Sequence, residues 1–413
     1  MTAPASQPSP LPAVPDPAPD TRRRSSSLAS PLKVGVLDIG TNSIHIVIAE
    51  IGPRMDFEIV GRDKEMVRLG DGTLKTGWLS DAKADRAISV IRDFAQLARR
   101  RGITRLHAVA TAAIREASNG ALFLSRVLKE TGVRVRSITG EEEARLIYLA
   151  VRHYVDLSSR KALMVDMGGG SVELMIGDSR DLLLARSLKL GAARLKDLYI
   201  SKYPVPKNAH ERMHDHLAEG LGLVVDEARR IGFDRLVATS GTFLNIGAIL
   251  HERQTGRPLT TPLGFTLARD QIKELHRDLA KSTDEERARI KGGDPTRTDM
   301  LLPGACLLLE LMDRLDIHEL TLCDKALREG ILLDYILKNP KRIQADLAIP
   351  NPRLRSVLAL ARACDYDEKH AATVARLAAR LFQGFHLGKG LHPSAFELLE
   401  YAAQLHDIGY HVG

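Results

Sequence analysis

The sequence predicts an α/β protein with two duplicated halves that face each other across a cleft, followed by a helical segment. A strand–turn–strand motif with the pattern D-x-G-x-x-S occurs twice, beginning at Asp38 and again at Asp166. The triplet Val-Ala-Thr recurs at the same separation, ending at Thr111 and at Thr239. Such self-similarity indicates an internal duplication. Beyond about residue 350 the apolar spacing is that of helices alone.

The composition is that of an ordinary globular protein that favours anionic ligands. Of the 413 residues, 44% are hydrophobic and 27% are charged, and the net charge is +7. Aromatic residues make up only 4%, and no basic run is interleaved with them, so we expect no specific nucleic-acid partner. The three cysteines lack metal-ligand spacing, which predicts a reduced, cytoplasmic protein. No apolar run has the length of a membrane span.

Composition shifts divide the chain into four parts. Residues 1–30 are rich in Pro, Ser and Ala and lack a signal-peptide core, so we predict a disordered tail in which Arg22-Arg-Arg24 could contact a partner. The duplicated domains are assigned to residues 31–150 and 151–338. A boundary rich in Pro and basic residues precedes the helical segment, 350–413. The highly charged stretch 265–295 is predicted to be helical.

The second copy of the repeated motif shows why it suits a phosphate. An apolar strand ends at Asp166, three glycines follow at 168–170, and Ser171 leads into a returning strand that carries Glu173. Without Cβ atoms, the turn lets backbone N–H groups converge on an anion. The flanking Asp and Glu suit a hard cation that accompanies the phosphate. A single such hairpin could equally be an ordinary tight turn, and it is the second copy that favours phosphate binding.

Two further turns follow the same logic. The first copy of the motif spans 38–43, and the segment 236–249 reads as strand, Gly turn and helix, which places amides at a helix N-terminus. Turns of this kind at the ends of two duplicated sheets would face each other across the cleft. The predicted phosphate-binding residues are Asp38, Gly40, Thr41, Asn42, Ser43, Gly168, Gly169, Gly170, Ser171, Ser240, Gly241 and Thr242.

Several cations are candidates for phosphate contact. Arg115 follows the strand Leu106–Ala110, whose end should lie near the cleft, and a guanidinium matches phosphate, although such an Arg is often a surface residue. Arg62, Lys64 and Arg68 alternate along an earlier strand, where they either bind a long anion or form a solvated edge. Weaker candidates are Lys189 and Arg194.

A catalytic base is predicted in a helix that begins near Gly140. Glu141 and Glu142 complement the helix dipole, and each faces Arg145. Glu143 differs, because its neighbours on the same face are apolar and an acidic residue on a buried or cleft-facing side needs a purpose. These neighbours are Leu146, Ile147 and Ala150. Glu143 is therefore the candidate base.

The helical segment carries a possible metal motif. His370 and the later pair His406-Asp407 resemble the HD phosphohydrolase motif, in which His and Asp bind metal. The chain ends at Gly413 before a further ligand, so we expect a domain that is cut short. We do not expect these residues alone to form a metal site.

Together these stretches resemble the exopolyphosphatase / guanosine pentaphosphate phosphohydrolase family, within the actin–hexokinase–Hsp70 ATPase superfamily. The resemblance implies two ribonuclease-H-like, actin-like domains and a following HD-like helical domain. It implies that Glu143 is the catalytic base, that Arg115 contacts phosphate, and that Asp166 and Glu173 lie near Mg2+. It also implies release of orthophosphate from polyphosphate or pppGpp. The matching stretches are Asp38-Ile-Gly-Thr-Asn-Ser43, Ala110-Thr-Ala-Ala-Ile-Arg115, Gly140-Glu-Glu-Glu-Ala-Arg145, Asp166-Met-Gly-Gly-Gly-Ser-Val-Glu173, Ala238-Thr-Ser-Gly-Thr242 and Ala326-Leu-Arg-Glu-Gly330.

The expected chemistry is attack of water on a terminal phosphorus, helped by charge neutralisation and in-line positioning. No Ser-His-Asp or Cys-His constellation supports a covalent route. Two alternatives remain open: a kinase of the same superfamily, which would need an acceptor, and a non-catalytic polyphosphate or alarmone sensor. Polyphosphate and pppGpp are both retained as substrates. A homodimer is the default oligomeric state.

Overall fold

A computed structural model describes residues 31–103, 105–349, 351–385, 390–392 and 394–411. The predicted tail at 1–30, with its Arg cluster, lies outside the described residues. Among the described residues, no helix combines the length and apolar character needed to cross a bilayer.

The first sheet has five strands in the order β3-β2-β1-β4-β5. β1 pairs antiparallel with β2 and parallel with β4, so the sheet is mixed. This sheet and α1–α4 form the first lobe, and α5 follows it. The elements are β1 Leu32–Ile39, β2 Ser43–Ile51, β3 Phe57–Met66, α1 Thr73–Thr76, α2 Asp81–Arg100, β4 Arg105–Ala110, α3 Ala112–Glu116, α4 Gly120–Thr131, β5 Val135–Ser137 and α5 Gly140–Tyr154.

The second sheet repeats this topology and adds one edge strand, in the order β10-β11-β9-β6-β7-β8. This sheet and α6–α12 form the second lobe. Its elements are β6 Ala162–Met167, β7 Val172–Gly177, β8 Leu182–Leu188, α6 Ala192–Tyr199, α7 Lys207–Ile231, β9 Arg235–Thr239, α8 Gly241–Thr255, β10 Thr266–Ala268, α9 Arg269–Lys281, α10 Asp284–Ala288, α11 Leu301–Arg314, β11 Glu319–Cys323 and α12 Leu327–Lys338, with a short 3-10 helix at Pro295–Met300.

The matching strand orders agree with the predicted duplication, with one adjustment of register. The repeated Val-Ala-Thr triplets end equivalent strands, β4 and β9. Val109 lies beside Asp38, whereas Thr239 rather than Val237 lies beside Asp166. The equal spacing of the triplets in the sequence is therefore not a strict structural equivalence.

Apolar residues place one core between the two sheets and one on the outer side of each. The strands β6 and β7 are buried almost throughout, as expected for a sheet covered on both faces. Helix α5 turns Leu146 and Ile147 into the central core, which also takes Met164 of β6 and Leu332 of α12. Glu143 therefore sits at the first turn of a helix that is packed between the sheets.

Two regions differ from expectation. The stretch 265–295 is not helical throughout, because β10 pairs antiparallel with β11 and buries Leu267 before α9 begins. The predicted boundary after residue 338 carries a packed helix, α13 Pro340–Leu347, whose buried Asp346 pairs with Arg105 of β4 at 2.7 Å. The remaining helices are α14 Pro352–Ala363, α15 Glu368–Gly384 and α16 Ala395–Gln404, followed by a 3-10 turn at Ile408–His411.

Candidate active site

A cavity of about 200 Å3 lies where the carboxyl ends of β1, β6 and β9 meet between the lobes. Every phosphate-binding residue predicted from the sequence lines this cavity, as do Glu143 and Asp166. Arg115 and Glu173 do not line it. The fold therefore brings the two repeated turns and the start of α8 around one space.

The two turns touch, which explains the glycines. A Cβ atom added at Gly169 would lie 2.9 Å from the Thr41 side chain, and one added at Gly170 would lie 2.7 Å from Cβ of Ala112. Side chains at these positions would force the turns apart. Only a bare backbone allows the lobes to approach this closely at the cavity.

The Gly-rich turn of the second lobe is held by its carbonyl groups. The amides of Ala192 and Arg194 donate to the carbonyls of Gly168 and Gly169 at 2.9 and 3.1 Å, and Arg194 Nε donates to the Gly170 carbonyl at 2.9 Å. None of these bonds uses an amide of the three glycines, which leaves those N–H groups available to an anion.

The first turn is anchored in the same manner. The Thr41 carbonyl accepts a bond from the Gly70 amide at 2.8 Å, and the Asn42 carbonyl accepts bonds from Val67 and Arg68 at 3.0 and 2.7 Å. Both turns thus present a rigid backbone to the cavity.

Arg194 and Lys189 support the site from outside. Arg194 Nη2 donates to both carboxylate oxygens of Glu116, at 2.9 and 2.8 Å, and Lys189 pairs with the same carboxylate at 3.3 Å. Neither cation lines the cavity. Their role in the structure is to fasten the Gly-rich turn to α3.

The start of α8 supplies the third anion-binding element. Ser240 caps the helix, and its Oγ accepts a bond from the Phe243 amide at 3.3 Å. Its φ of 116° is a conformation that L-residues rarely adopt, and strain of roughly 1–3 kcal/mol of this kind concentrates at functional sites. The helix directs its first amides toward the cavity.

Glu143 has the environment of a general base. It is only 7% exposed, and its Oε2 accepts a hydrogen bond from Arg115 Nη1 at 3.0 Å. Burial raises the pKa of Glu143 to about 7, with the charge of Arg115 opposing the rise and Asp38 and Asp166 adding to it. Near neutral pH this carboxylate can therefore both lose and accept a proton.

Arg115 touches the candidate base and does not line the cavity. Its Nη1 donates to the Ile138 carbonyl at 3.1 Å as well as to Glu143. This geometry suits an Arg that orients Glu143. Its predicted phosphate contact stays a prediction.

Burial also raises the pKa values of three other acidic residues at the site. Burial raises the pKa of Asp38 to about 6 and that of Asp166 to about 7, while Arg328 opposes both changes. Glu173 is fully buried behind the wall of the cavity, by which we mean the residues that line it. Its Oε1 accepts a hydrogen bond from Ser187 Oγ at 2.7 Å. Burial, together with Glu143 and Asp166, raises the pKa of Glu173 well above its usual range.

The oxygen atoms of the wall fit a hard divalent cation. Asp166 Oδ1, Asp324 Oδ1 and Asn42 Oδ1 are buried without a hydrogen-bond partner among the described residues. Mg2+ prefers such oxygens and commonly uses one or two carboxylates together with water and substrate phosphates. Within the described ranges, clusters of three His, Cys, Asp or Glu ligand atoms lie elsewhere, so a cation here would rely on ligands besides protein carboxylates. Asp324 was not predicted.

Two cations that line the cavity, Arg328 and Arg297, were not predicted from the sequence. Arg328 lines the cavity and makes no hydrogen bond or ion pair with any residue in the described part of the chain. Arg297 also lines it, and its guanidinium lies against Gly241. Arg328 belongs to a stretch that carried the family resemblance, which was the available signal. Arg297 follows a Gly- and Asp-rich loop that has no periodicity to mark it.

His45 is a third unpredicted member of the wall. Its Nε2 lies 2.7 Å from Ser43 Oγ. Burial and the surrounding cations, foremost Arg328 and Arg297, lower the pKa of His45 to about 2. The side chain is therefore neutral, and it adds no charge to the cavity.

Arg62 and Lys64 of β3 reach across the cleft, and so does Arg68, which lies two residues beyond the end of β3 and not along the strand as predicted. Each pairs with an acidic residue of the second lobe: Arg62 with Glu329 at 3.0 Å, Lys64 with Asp294 at 3.3 Å, and Arg68 with Asp299 at 3.3 Å. A second cavity of about 400 Å3 includes Arg62, Lys64, His45 and Arg328 in its lining. Because Arg328 and His45 line both cavities, the two spaces adjoin.

The HD-like residues also converge. His370 Nε2 lies 3.2 Å from His406 Nε2 and 3.3 Å from Asp407 Oδ2, and the last two atoms are 3.0 Å apart. From the sequence we expect no metal site from these three residues alone. The structure nevertheless brings their ligand atoms to one point.

The fold is a duplicated α/β fold with mixed sheets, and its Gly-rich turns and arginines surround one cavity. These features are typical of a protein that binds phosphate groups. The Ppx/GppA phosphatase family matches residues 47–339. The chain belongs to this family and, as a member, is a phosphoanhydride hydrolase with an actin-like fold.

Named relatives span both branches of the family. Exopolyphosphatase 1 of Mycobacterium tuberculosis is 33% identical over 73% of this chain and 88% of its own length. The guanosine-5'-triphosphate,3'-diphosphate pyrophosphatase of Photobacterium profundum is 27% identical over 92% of this chain and 73% of its own length.

Solved structures agree with the fold. An exopolyphosphatase from Cytophaga hutchinsonii superposes with a TM-score of 0.68, at 27% identity, over 74% of this chain and 97% of its own. The Aquifex aeolicus member of the Ppx/GppA family gives a TM-score of 0.63, at 28% identity, over 74% and 98%.

Proposed function

We propose that this protein is an exopolyphosphatase that hydrolyses the terminal phosphoanhydride of inorganic polyphosphate, with Glu143 as the base. The observation that carries the proposal is Arg328, which makes no hydrogen bond or ion pair among the described residues and lies in a cavity shared with loop amides and a buried carboxylate. A cation left unpaired in a cleft is suited to an incoming anion.

The residues present can perform the reaction in order. The amides at 168–170 and the start of α8 hold the terminal phosphate, while Arg328 and Arg297 neutralise its charge. Glu143, oriented by Arg115, positions water and takes its proton as the water attacks phosphorus in line with the leaving oxygen. The shortened chain and orthophosphate are the products.

A divalent cation, Mg2+, fits this reading. Asp166, Asp324 and Asn42 would hold it, and Glu173 would act from behind the wall. When bound, the cation would offset negative charge on the phosphates. A cation is needed to balance charge, because two arginines line the cavity together with four carboxylates, those of Asp38, Glu143, Asp166 and Asp324.

Polyphosphate is favoured over pppGpp by the lining of the cavities. The second cavity continues from Arg328 to Arg62 and Lys64, which a chain of phosphates would contact beyond the site of cleavage in competition with Glu329 and Asp294. Among the described residues that line the two cavities there is no Phe, Tyr or Trp on which a guanine could stack.

Parallel assays of phosphate release test the proposal. Long polyphosphate, short polyphosphate and pppGpp are compared in Mg2+, and we expect the highest kcat/KM with long polyphosphate and a steep fall with salt. A higher kcat/KM with pppGpp would assign the nucleotide as substrate. Binding of polyphosphate without release would favour the sensor, and phosphate transfer to an acceptor would favour a kinase. The homodimer remains a prediction for light scattering.

A further inference from the structure

A cluster of His and Cys side chains lies in the second lobe, among α7, α9 and α11. His210 Nε2 is 2.9 Å from His276 Nε2, His276 Nε2 is 3.2 Å from Cys306 Sγ, and Cys306 Sγ is 3.9 Å from His210 Nε2. None of these residues lines the catalytic cavity. We propose that they form a binding site for Zn2+ that is separate from the site of phosphate hydrolysis.

The distances match the edges of a zinc coordination sphere. Tetrahedral Zn2+ with bonds of about 2.0–2.1 Å to His nitrogen and about 2.3 Å to Cys sulfur places nitrogens roughly 3.3 Å apart and nitrogen roughly 3.6 Å from sulfur. The three observed distances scatter around these values. Imidazole and thiolate together are the ligand set of zinc and related transition metals, and not of Mg2+.

The three ligand atoms point at one another in a largely apolar setting. Cys306 is fully buried, and both histidines are partly buried. Cys306 belongs to the hydrophobic core of the second lobe, which also contains Met213, Leu275 and Leu302. Without a metal ion, His276 Nε2 would have to hydrogen-bond with both the other imidazole and the thiol. One metal ion would bind all three atoms at once.

His214 of α7 lies near the cluster, but it is not among the residues whose ligand atoms converge. His214 follows His210 by one helical turn, which puts both on one face, and their ring centroids are 5.6 Å apart. Glu310 Oε2 lies 3.1 Å from His214 Nδ1, and Glu310 Oε1 pairs with Arg314 at 2.7 Å. An imidazole whose Nδ1 faces a carboxylate keeps Nε2 free, so His214 would complete the coordination sphere after a side-chain movement, and water would complete it otherwise.

The site joins three helices that are distant in sequence. Since α7, α9 and α11 pack on one side of the second sheet, a bound ion would cross-link the outer layer of this lobe. The expected role is structural, because the three ligands belong to three helices away from the catalytic cavity.

The test measures metal directly on the full-length, tag-free protein. A His406→Ala background is used throughout, so that the HD-like cluster does not contribute. After exposure to Zn2+ in excess Mg2+ and desalting, we expect about one zinc per chain by elemental analysis. His276→Gln should lose this zinc, and Cys364→Ser, a control outside the cluster, should keep it. Unchanged zinc in His276→Gln would overturn the proposal.

Cobalt substitution identifies the ligands. Co2+ bound to a thiolate gives a charge-transfer absorption band, which we expect in the starting protein and in Cys364→Ser but not in Cys306→Ser. His210→Gln should weaken Co2+ binding while leaving the fold intact by circular dichroism, which guards against a Cys306 variant that fails to fold. A spectrum without the thiolate band in the starting protein would overturn the site.

Discussion

Glu143→Gln separates the catalytic from the structural consequences of burying a carboxylate at the cavity. Gln keeps the size of the side chain and can accept a bond from Arg115, but it cannot take a proton from water. Loss of a general base typically slows a reaction by about 10²–10⁴-fold, or roughly 3–5 kcal/mol of barrier. We expect a fall of this order in kcat with polyphosphate, and little change in binding.

The same variant should alter the pH dependence of stability. Burial raises the pKa of Glu143 from 4.5 to about 7, so the folded state holds this proton more tightly than the unfolded state. Protonated Glu143 therefore stabilises the folded state fully below about pH 4.5, and this contribution is lost as the pH rises to about 7. Between about pH 5 and pH 8, the free energy of unfolding of Glu143→Gln should rise relative to wild type by about 2–3 kcal/mol.

Urea unfolding at the two pH values and single-turnover kinetics measure these effects. Glu142→Gln is the matched control: it lies on the same turn, pairs with Arg145 at 2.9 Å and does not line the cavity. Its kcat should stay close to wild type. Near-normal phosphate release by Glu143→Gln would refute the base assignment. An unchanged stability difference across the pH range would refute the argument from burial.

Three further predictions concern the surrounding wall. Arg328→Gln should raise KM for polyphosphate at least about tenfold by removing a charge-assisted contact, and Arg328→Lys should recover part of it; an unchanged KM would exclude Arg328 from the substrate site. Gly169→Ala should lower activity strongly because its Cβ would press on Thr41, which a crystal structure of the variant would show; wild-type kcat/KM would argue against close packing of the turns. Lys64→Gln should raise KM for long polyphosphate more than for short, with Lys129→Gln as an exposed control; equal effects on both lengths would argue against an extended track.

Local pattern was sufficient to locate most of the wall. The repeated turns and the strand–Gly–helix segment predicted where the backbone approaches an anion, and those residues line one cavity. The apolar neighbours of Glu143 predicted its burial correctly, because helical spacing decides which side chains share a face. These features depend on residues close together in the sequence.

Features that depend on tertiary packing could not be predicted from the sequence. Arg297 and Arg328 reach the cavity from a 3-10 turn and from the start of α12, and a chain with many cations gives no local reason to select these two. Glu173 pairs with Asp166 across the hairpin, yet Ser187 of the next strand takes its carboxylate, so it lies behind the wall. The His210, His276 and Cys306 cluster joins three separate helices, and cysteine spacing could not reveal it.

The carboxylates of the wall also link anion affinity to pH. The pKa of Asp38 is about 6, and those of Asp166 and Glu143 are about 7. As pH rises through this range, Asp38, Asp166 and Glu143 lose protons while the arginines keep their charge, so a cavity without a bound cation becomes less favourable to phosphate. Proton abstraction by Glu143 needs the higher pH, whereas capture of the polyanion is easiest at the lower. The same change favours departure of orthophosphate. Substrate capture is therefore favoured at the lower pH and product release at the higher pH.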